Sequence, residues 1–132
     1  MANKILKILV IGDTHDSPDI PDKSRFGWFA KHIRKTKPDY VVQIGDFATF
    51  DSCTHYIRDD SYTAKIDKPI FMKDIESLDS AMEEFKYHLK DFKVKKYLTL
   101  GNHERRMWRK EDSNPTFYGM CQKEFFGTCK KY

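Results

Sequence analysis

The sequence predicts an α/β domain built from βαβ units around a parallel sheet. Three observations carry that prediction. Three short apolar runs have the patterning of strands, two amphipathic stripes at helical spacing lie between them, and each run ends in a glycine followed at once by a metal-capable side chain. The runs are Ile5-Leu6-Lys7-Ile8-Leu9-Val10-Ile11 before Gly12-Asp13-Thr14-His15, Tyr40-Val41-Val42-Gln43-Ile44 before Gly45-Asp46, and Lys96-Tyr97-Leu98-Thr99-Leu100 before Gly101-Asn102-His103-Glu104. Strand, helix and strand, twice over, imply parallel pairing with right-handed crossovers.

Taken in order, Ile8 and Val10 belong to a first strand whose apolar residues read as covered on both faces, as do Val42, Ile44, Leu98 and Leu100 in the others. Phe26, Phe29, Ala30 and Ile33 fall at i, i+3, i+4 and i+7, so a helix is predicted over 24–36. Pro38-Asp39 then turns the chain into the second strand. Residues 47–73 are polar and irregular, with Pro69 near their end. Loops of this length inside a compact domain are uncommon and usually functional, so a lid or substrate-recognition loop carrying His55 is expected.

Ile75, Leu78, Met82, Phe85, Leu89 and Phe92 mark one face of a second helix over 74–92, with Asp74 or Ser77 as its cap. The third strand follows, and Asn102-His103 can cap a short helix from Glu104 to Lys110. Beyond Asn114-Pro115, the segment with Phe117, Tyr118, Met120, Cys121, Phe125 and Phe126 reads as a helix packing its aromatics against the sheet. His32 and His88 sit on predicted helices in structural or solvent-facing roles.

Composition excludes several classes. With 33% charged residues and no apolar run near the ~20 residues of a membrane span, the chain reads as soluble and without a membrane partner. Met1-Ala2-Asn3-Lys4 leads straight into the first strand, so no secretory leader is expected. Cys53, Cys121 and Cys129 are odd in number and lack metal-ligand spacing, which favours reduced thiols and a cytoplasmic setting. At 132 residues one domain is expected, spanning 1–132.

Charge is uneven. Residues 12–22 hold four Asp and no base, whereas residues 86–110 carry nine Lys or Arg against Asp91 and Glu104. Carboxylates beside a basic rim suit a metal site that handles phosphates. Lys86, Lys90 and Lys93 read as a solvated helix face; Arg105, Arg106 and Arg109, directly after the Asn-His pair, are the candidate phosphate contacts, with His55.

A Gly-Asp pair after a strand is commonly only a turn. Turns, however, have no need for Asp-x-His at one site and an amide plus imidazole at another. Ligands in open α/β sheets collect beyond the carboxyl ends of strands, and neighbouring strands lie about 4.8 Å apart. Asp13, His15, Asp46, Asn102 and His103 are therefore expected to share one cleft and to hold divalent cations. Mixed oxygen and imidazole donors favour Mn²⁺, Fe or Zn²⁺.

Gly12-Asp13-Thr14-His15, Gly45-Asp46 and Gly101-Asn102-His103-Glu104 resemble the first three signatures of the calcineurin-like metallophosphoesterases, in order and in strand context, over roughly residues 5–110. The resemblance implies hydrolysis of phosphomonoesters or phosphodiesters at a dinuclear centre. Asp13 and His15 would bind one cation, Asp46 would bridge, Asn102 would hold the second, and His103 would face the substrate. It also implies a four-layer α/β/β/α sandwich, of which this chain carries the first half.

Two departures stand out. Where many relatives carry an Asp that orients the catalytic His, this chain has Thr49, with Asp51 the nearest carboxylate; and no His follows Glu104, so the later Gly-His-x-His element is missing. The domain is accordingly expected to be incomplete, with one sheet face uncovered and open to self-association. The competing readings are a non-catalytic metal-binding or interaction remnant, and a nuclease that holds nucleic acid on the basic stretch.

Overall fold

The structure, a computed structural model, describes residues 5–54 and 70–132. His55 and most of the expected lid fall outside the described residues. Strands β1 (Ile8–Ile11), β2 (Tyr40–Gln43) and β3 (Lys95–Leu98) form a parallel sheet in the order β1-β2-β3. The register places Leu9 beside Val41 and Lys96, and Ile11 beside Gln43 and Leu98. Side chains alternate across a strand, so these two rows share a face while Val10, Val42 and Tyr97 point the other way.

Helix α1 (Ser24–Thr36) matches the predicted stripe, burying Phe26, Ala30 and Ile33. Its first turn is held by Asp22, whose carboxylate accepts the Ser24 N–H at 2.8 Å; that bond draws the carboxyl below its usual range. It ends where Lys37 turns left-handed and donates its N–H to the Ile33 carbonyl, just before Pro38. Helix α2 (Phe71–Leu89) packs beside α1, and together Ala30, Ile33, Val41 and Leu89 close the core beneath Leu9 and Ile11.

Helix α2 begins three residues earlier than its spacing predicts and ends three earlier, leaving Phe92 beyond its last turn. Asp74 and Ser77 therefore lie inside the helix and do not cap it. Both are buried and committed elsewhere: Asp74 accepts from the backbone N–H and hydroxyl of Ser52, and Ser77 donates to Asp16 at 2.7 Å. Short polar side chains resemble caps in sequence, but here partners 22 and 61 residues away claim them.

A 3₁₀ turn (Asp51–Cys53) follows the β2 loop, and α3 (Arg105–Asp112) follows the β3 loop. A second 3₁₀ turn (Pro115–Phe117) leads to α4 (Met120–Cys129). The tail reaches the core through Phe125, fully buried and edge-on to Phe50 with ring centroids 5.6 Å apart. Phe26 stacks on Phe47 at 5.1 Å, which anchors the loop after β2 to α1. Burying one such ring stabilises the fold by about 1.5–3 kcal/mol. His32 stacks on Trp28, and His88 pairs with Glu84 at 2.9 Å, both away from the strand ends.

The opposite sheet face is open. Ile8, Val10, Ile44 and Tyr97 are each more than half exposed, at 58%, 59%, 52% and 53%. The strands have the composition of a sheet covered on both sides, and the described residues cover one. No described helix is long and apolar enough to cross a membrane.

Candidate metal centre

Parallel, in-register strands deliver three loops to one edge of the sheet. The loops after β1 and β2 are joined by backbone, Thr14 and His15 N–H groups donating to the Asp46 carbonyl at 3.2 and 3.0 Å. The β2 and β3 loops touch even more closely. A Cβ on Gly45 would lie 2.7 Å from the Gly101 nitrogen, and one on Gly101 would lie 2.0 Å from Asp46 Oδ1. Gly45 also has φ +102°. Gly45 and Gly101, two of the three motif glycines, are thus required by close approach, in addition to any turn they make.

Within this crossing, His15, Asp46 and His103 bring ligand atoms within 4.8 Å of one another. The two imidazoles meet edge to face with centroids 4.5 Å apart. Asp13 joins from the β1 loop, its Oδ2 3.7 Å from His15 Nε2. Asp46 is buried, and its Oδ1 accepts the His103 N–H at 2.8 Å. Asp13 and Asn102 are exposed. His15 and Asp46 have φ of +46° and +50°, a left-handed backbone that side-chain-bearing residues rarely adopt. Such strain collects at sites where ligand placement matters.

Two imidazoles and a buried carboxylate in this space, with Asp13 beside His15, are a donor set suited to a divalent transition cation. A carboxylate has about four lone-pair sites, so the N–H bond to Asp46 Oδ1 leaves capacity for coordination.

His103 is oriented in an unexpected way. Its Nδ1 lies 3.0 Å from the Thr49 carbonyl, which can only accept, so Nδ1 is the donor there and Nε2 is the nitrogen left for other partners. A backbone carbonyl thus takes the place of a carboxylate. Asp51, the nearest acid in sequence, instead pairs with Arg106 NH1 at 3.1 Å. Arg106 also donates to the Thr49 carbonyl at 2.7 Å and comes within 3.5 Å of His103 Nε2, which places it at the centre; Arg105 and Arg109 are exposed on α3.

Two residues that organise the centre receive no role from the motif reading, although Glu104 closes the third motif. Glu104 is fully buried, and its carboxylate accepts N–H groups of Asp46 (2.9 Å), Ala48 (3.2 Å) and Gly101 (2.8 Å), riveting the β2 loop to the β3 loop. Gln43 is buried at the end of β2, where its amide donates to the Gly12 and Gly45 carbonyls and accepts the Gly45 N–H. A lone amide ending an apolar strand was the available signal for Gln43. For Glu104 it was a charge abutting the metal-capable pair. The cysteines are all free, and burial pushes Cys53 and Cys129 up to about 12, far from nucleophilic.

No curated protein and no solved structure matches the chain. The family model for calcineurin-like phosphoesterase, however, matches residues 6–130, nearly the whole length, and carries the three loops that meet at this centre. The chain belongs to the calcineurin-like phosphoesterase family.

Proposed function

We propose that the chain is a metal-dependent hydrolase of phosphomonoesters or phosphodiesters, with Asp13, His15, Asp46 and Asn102 as ligands of two divalent cations (Mn²⁺, Fe or Zn²⁺). The convergence of His15, Asp46 and His103 at the strand ends is the observation that carries this reading. Cations held there would neutralise phosphate charge and acidify an attacking water. Asp46 suits the bridging position because it alone among the four ligands is buried, and N–H groups of the β1 and β3 loops hold its carbonyl and carboxylate.

The protein groups supply the rest. His103 Nε2 faces the shared space and, when protonated, can give a proton to the leaving oxygen. Arg106, beside it, offers a guanidinium to the phosphate, and its bonds to Thr49 and Asp51 hold the fork in place. The open sheet face, with Val10, Ile44 and Tyr97 exposed, supports self-association. The free thiols suit a cytoplasmic setting. Nucleic acid remains one phosphodiester substrate class, favoured by the basic residues of α3.

A second reading has its own observation: the His103 imidazole is as close to His15 and Asp46 as a ligand would be, and its Nδ1–H is held by a carbonyl as in metal-bound histidines. His103→Asn separates the two. Intact Mn²⁺ binding by calorimetry, with hydrolysis of bis-p-nitrophenyl phosphate slowed roughly 10²–10⁴-fold, makes His103 the acid. Loss of metal in proportion to activity makes it a ligand. Asp46→Asn should abolish Mn²⁺ binding, and binding unchanged in that variant sinks the centre. A parent chain that binds Mn²⁺ and hydrolyses no phosphoester is the non-catalytic remnant.

A further inference from the structure

We propose that Asp16 is a positioning residue for the centre, a charged pin that fixes His15 and the loop of Asp46 from behind. The inference rests on the metal reading above and deepens it. Asp16 is one of the four acidic residues between 12 and 22, yet its carboxylate is fully buried and committed: Lys23 Nζ lies 2.8 and 3.0 Å from its two oxygens, Arg25 NH2 2.8 Å from Oδ1, and Ser77 Oγ 2.7 Å from Oδ2. Two cations and a hydroxyl leave it no role in attracting cations. Such a buried charge is tolerated only because it is paired this fully.

Its backbone does something different from its side chain. The Asp16 N–H donates to the Phe47 carbonyl at 2.7 Å and its carbonyl accepts the Thr49 N–H at 2.8 Å, a one-residue parallel bridge opposite Ala48. Asp16 thus fastens the β1 loop to the β2 loop at the position next to His15, while its carboxylate is clamped to α1 through Arg25 and to α2 through Ser77. Lys23 extends the clamp to the Ser17 and Ile20 carbonyls at 3.1 and 2.7 Å, curling the intervening loop onto itself.

This explains how two left-handed ligand residues persist. His15 and Asp46 would relax toward ordinary backbone conformations unless their surroundings over-determined them. The restraint on the His15 side comes from Asp16. Thr49, whose carbonyl orients His103, is bonded to the same residue. A shift of the pin would therefore displace His15 and His103 together, without touching either imidazole directly.

The test uses the whole chain with Mn²⁺ alone as the probe, in calorimetry, and Zn²⁺-induced ¹⁵N shifts of the His15 ring as a second signal. Asp16→Asn should weaken Mn²⁺ about 10–100-fold, the usual range for residues that hold ligands in place, and alter the His15 response. Ser77→Ala, which keeps both ion pairs, should weaken it less, by about threefold, and decides the matter if Asp16→Asn does not fold. Equal Mn²⁺ affinity and an unchanged His15 signal, with only the urea midpoint lowered, would show Asp16 to be a packing residue and overturn the pin. A parent chain that takes up no Mn²⁺ overturns the metal reading and the pin together, whereas parent and variants binding alike overturn the pin alone.

Discussion

The two sides of the centre differ in how they are held. Asp46 is buried, left-handed and bonded through its N–H and carboxylate to the β3 loop and through its carbonyl to the β1 loop. Asp13 and Asn102 are exposed; Asp13 is 54% exposed at its side chain, with its Oδ2 3.7 Å from His15 Nε2. Of the proposed ligands, Asp46 is therefore the built-in side, held by the fold, and Asp13 and Asn102 are the presented side. Changes on the first should cost both stability and metal; changes on the second should cost metal alone.

The sharpest way to break that contrast is Glu104→Ala. Three N–H groups, from Asp46, Ala48 and Gly101, would lose a shared buried acceptor. Each orphaned donor costs about 1–3 kcal/mol, so a loss of about 3–5 kcal/mol is expected after partial rescue by water. Denaturant unfolding should register it, together with loss of Mn²⁺ binding. A loss below about 1 kcal/mol would mean that the β2 and β3 loops hold each other without Glu104.

The exposed side gives a smaller and cleaner effect. Asp13→Ala and Asn102→Ala should each weaken Mn²⁺ by about tenfold or more, consistent with loss of one ligand. Their unfolding midpoints should stay within about 0.5 kcal/mol of the parent, as for surface substitutions away from packed groups. Should either variant lose stability like Glu104→Ala, the division into a built-in and a presented side fails.

A second division decides what the sequence could reveal. The groups that converge were legible: His15, Asp46 and His103 each stand one to three residues beyond a glycine at a strand end, a local signal. The α1 span was legible for the same reason, its burial following the 3.6-residue period. The holding groups were not. Glu104 acts on Asp46 across 58 residues, Ser77 on Asp16 across 61, and the Thr49 carbonyl on His103 across 54. No periodicity encodes such pairs, and a backbone carbonyl leaves no trace in residue identity. Asp74 and Ser77 were misread as caps because their local chemistry fits a cap, and tertiary partners prevailed.

The smallest effect lies behind the built-in side, where Asp74 meets Ser52 in the 3₁₀ turn that follows the Asp46 loop. Burial pushes the Asp74 carboxyl up; the two Ser52 bonds oppose that shift without cancelling it. A carboxyl raised in the folded state contributes stability that is fully present below its unfolded value and lost as pH rises through the folded one. Ionised Asp74 is thus a mild liability near neutrality. Asn is uncharged at every pH and keeps an oxygen for the Ser52 donors. Asp74→Asn should therefore be slightly more stable than the parent at pH 8, with the gap closing as the pH falls toward 4. Urea midpoints of both proteins at pH 4, 6 and 8 would measure it. A variant less stable than the parent at pH 8 would mean that the charge on Asp74 strengthens its Ser52 bonds by more than burial costs it, and would make this acid a true part of the built-in side.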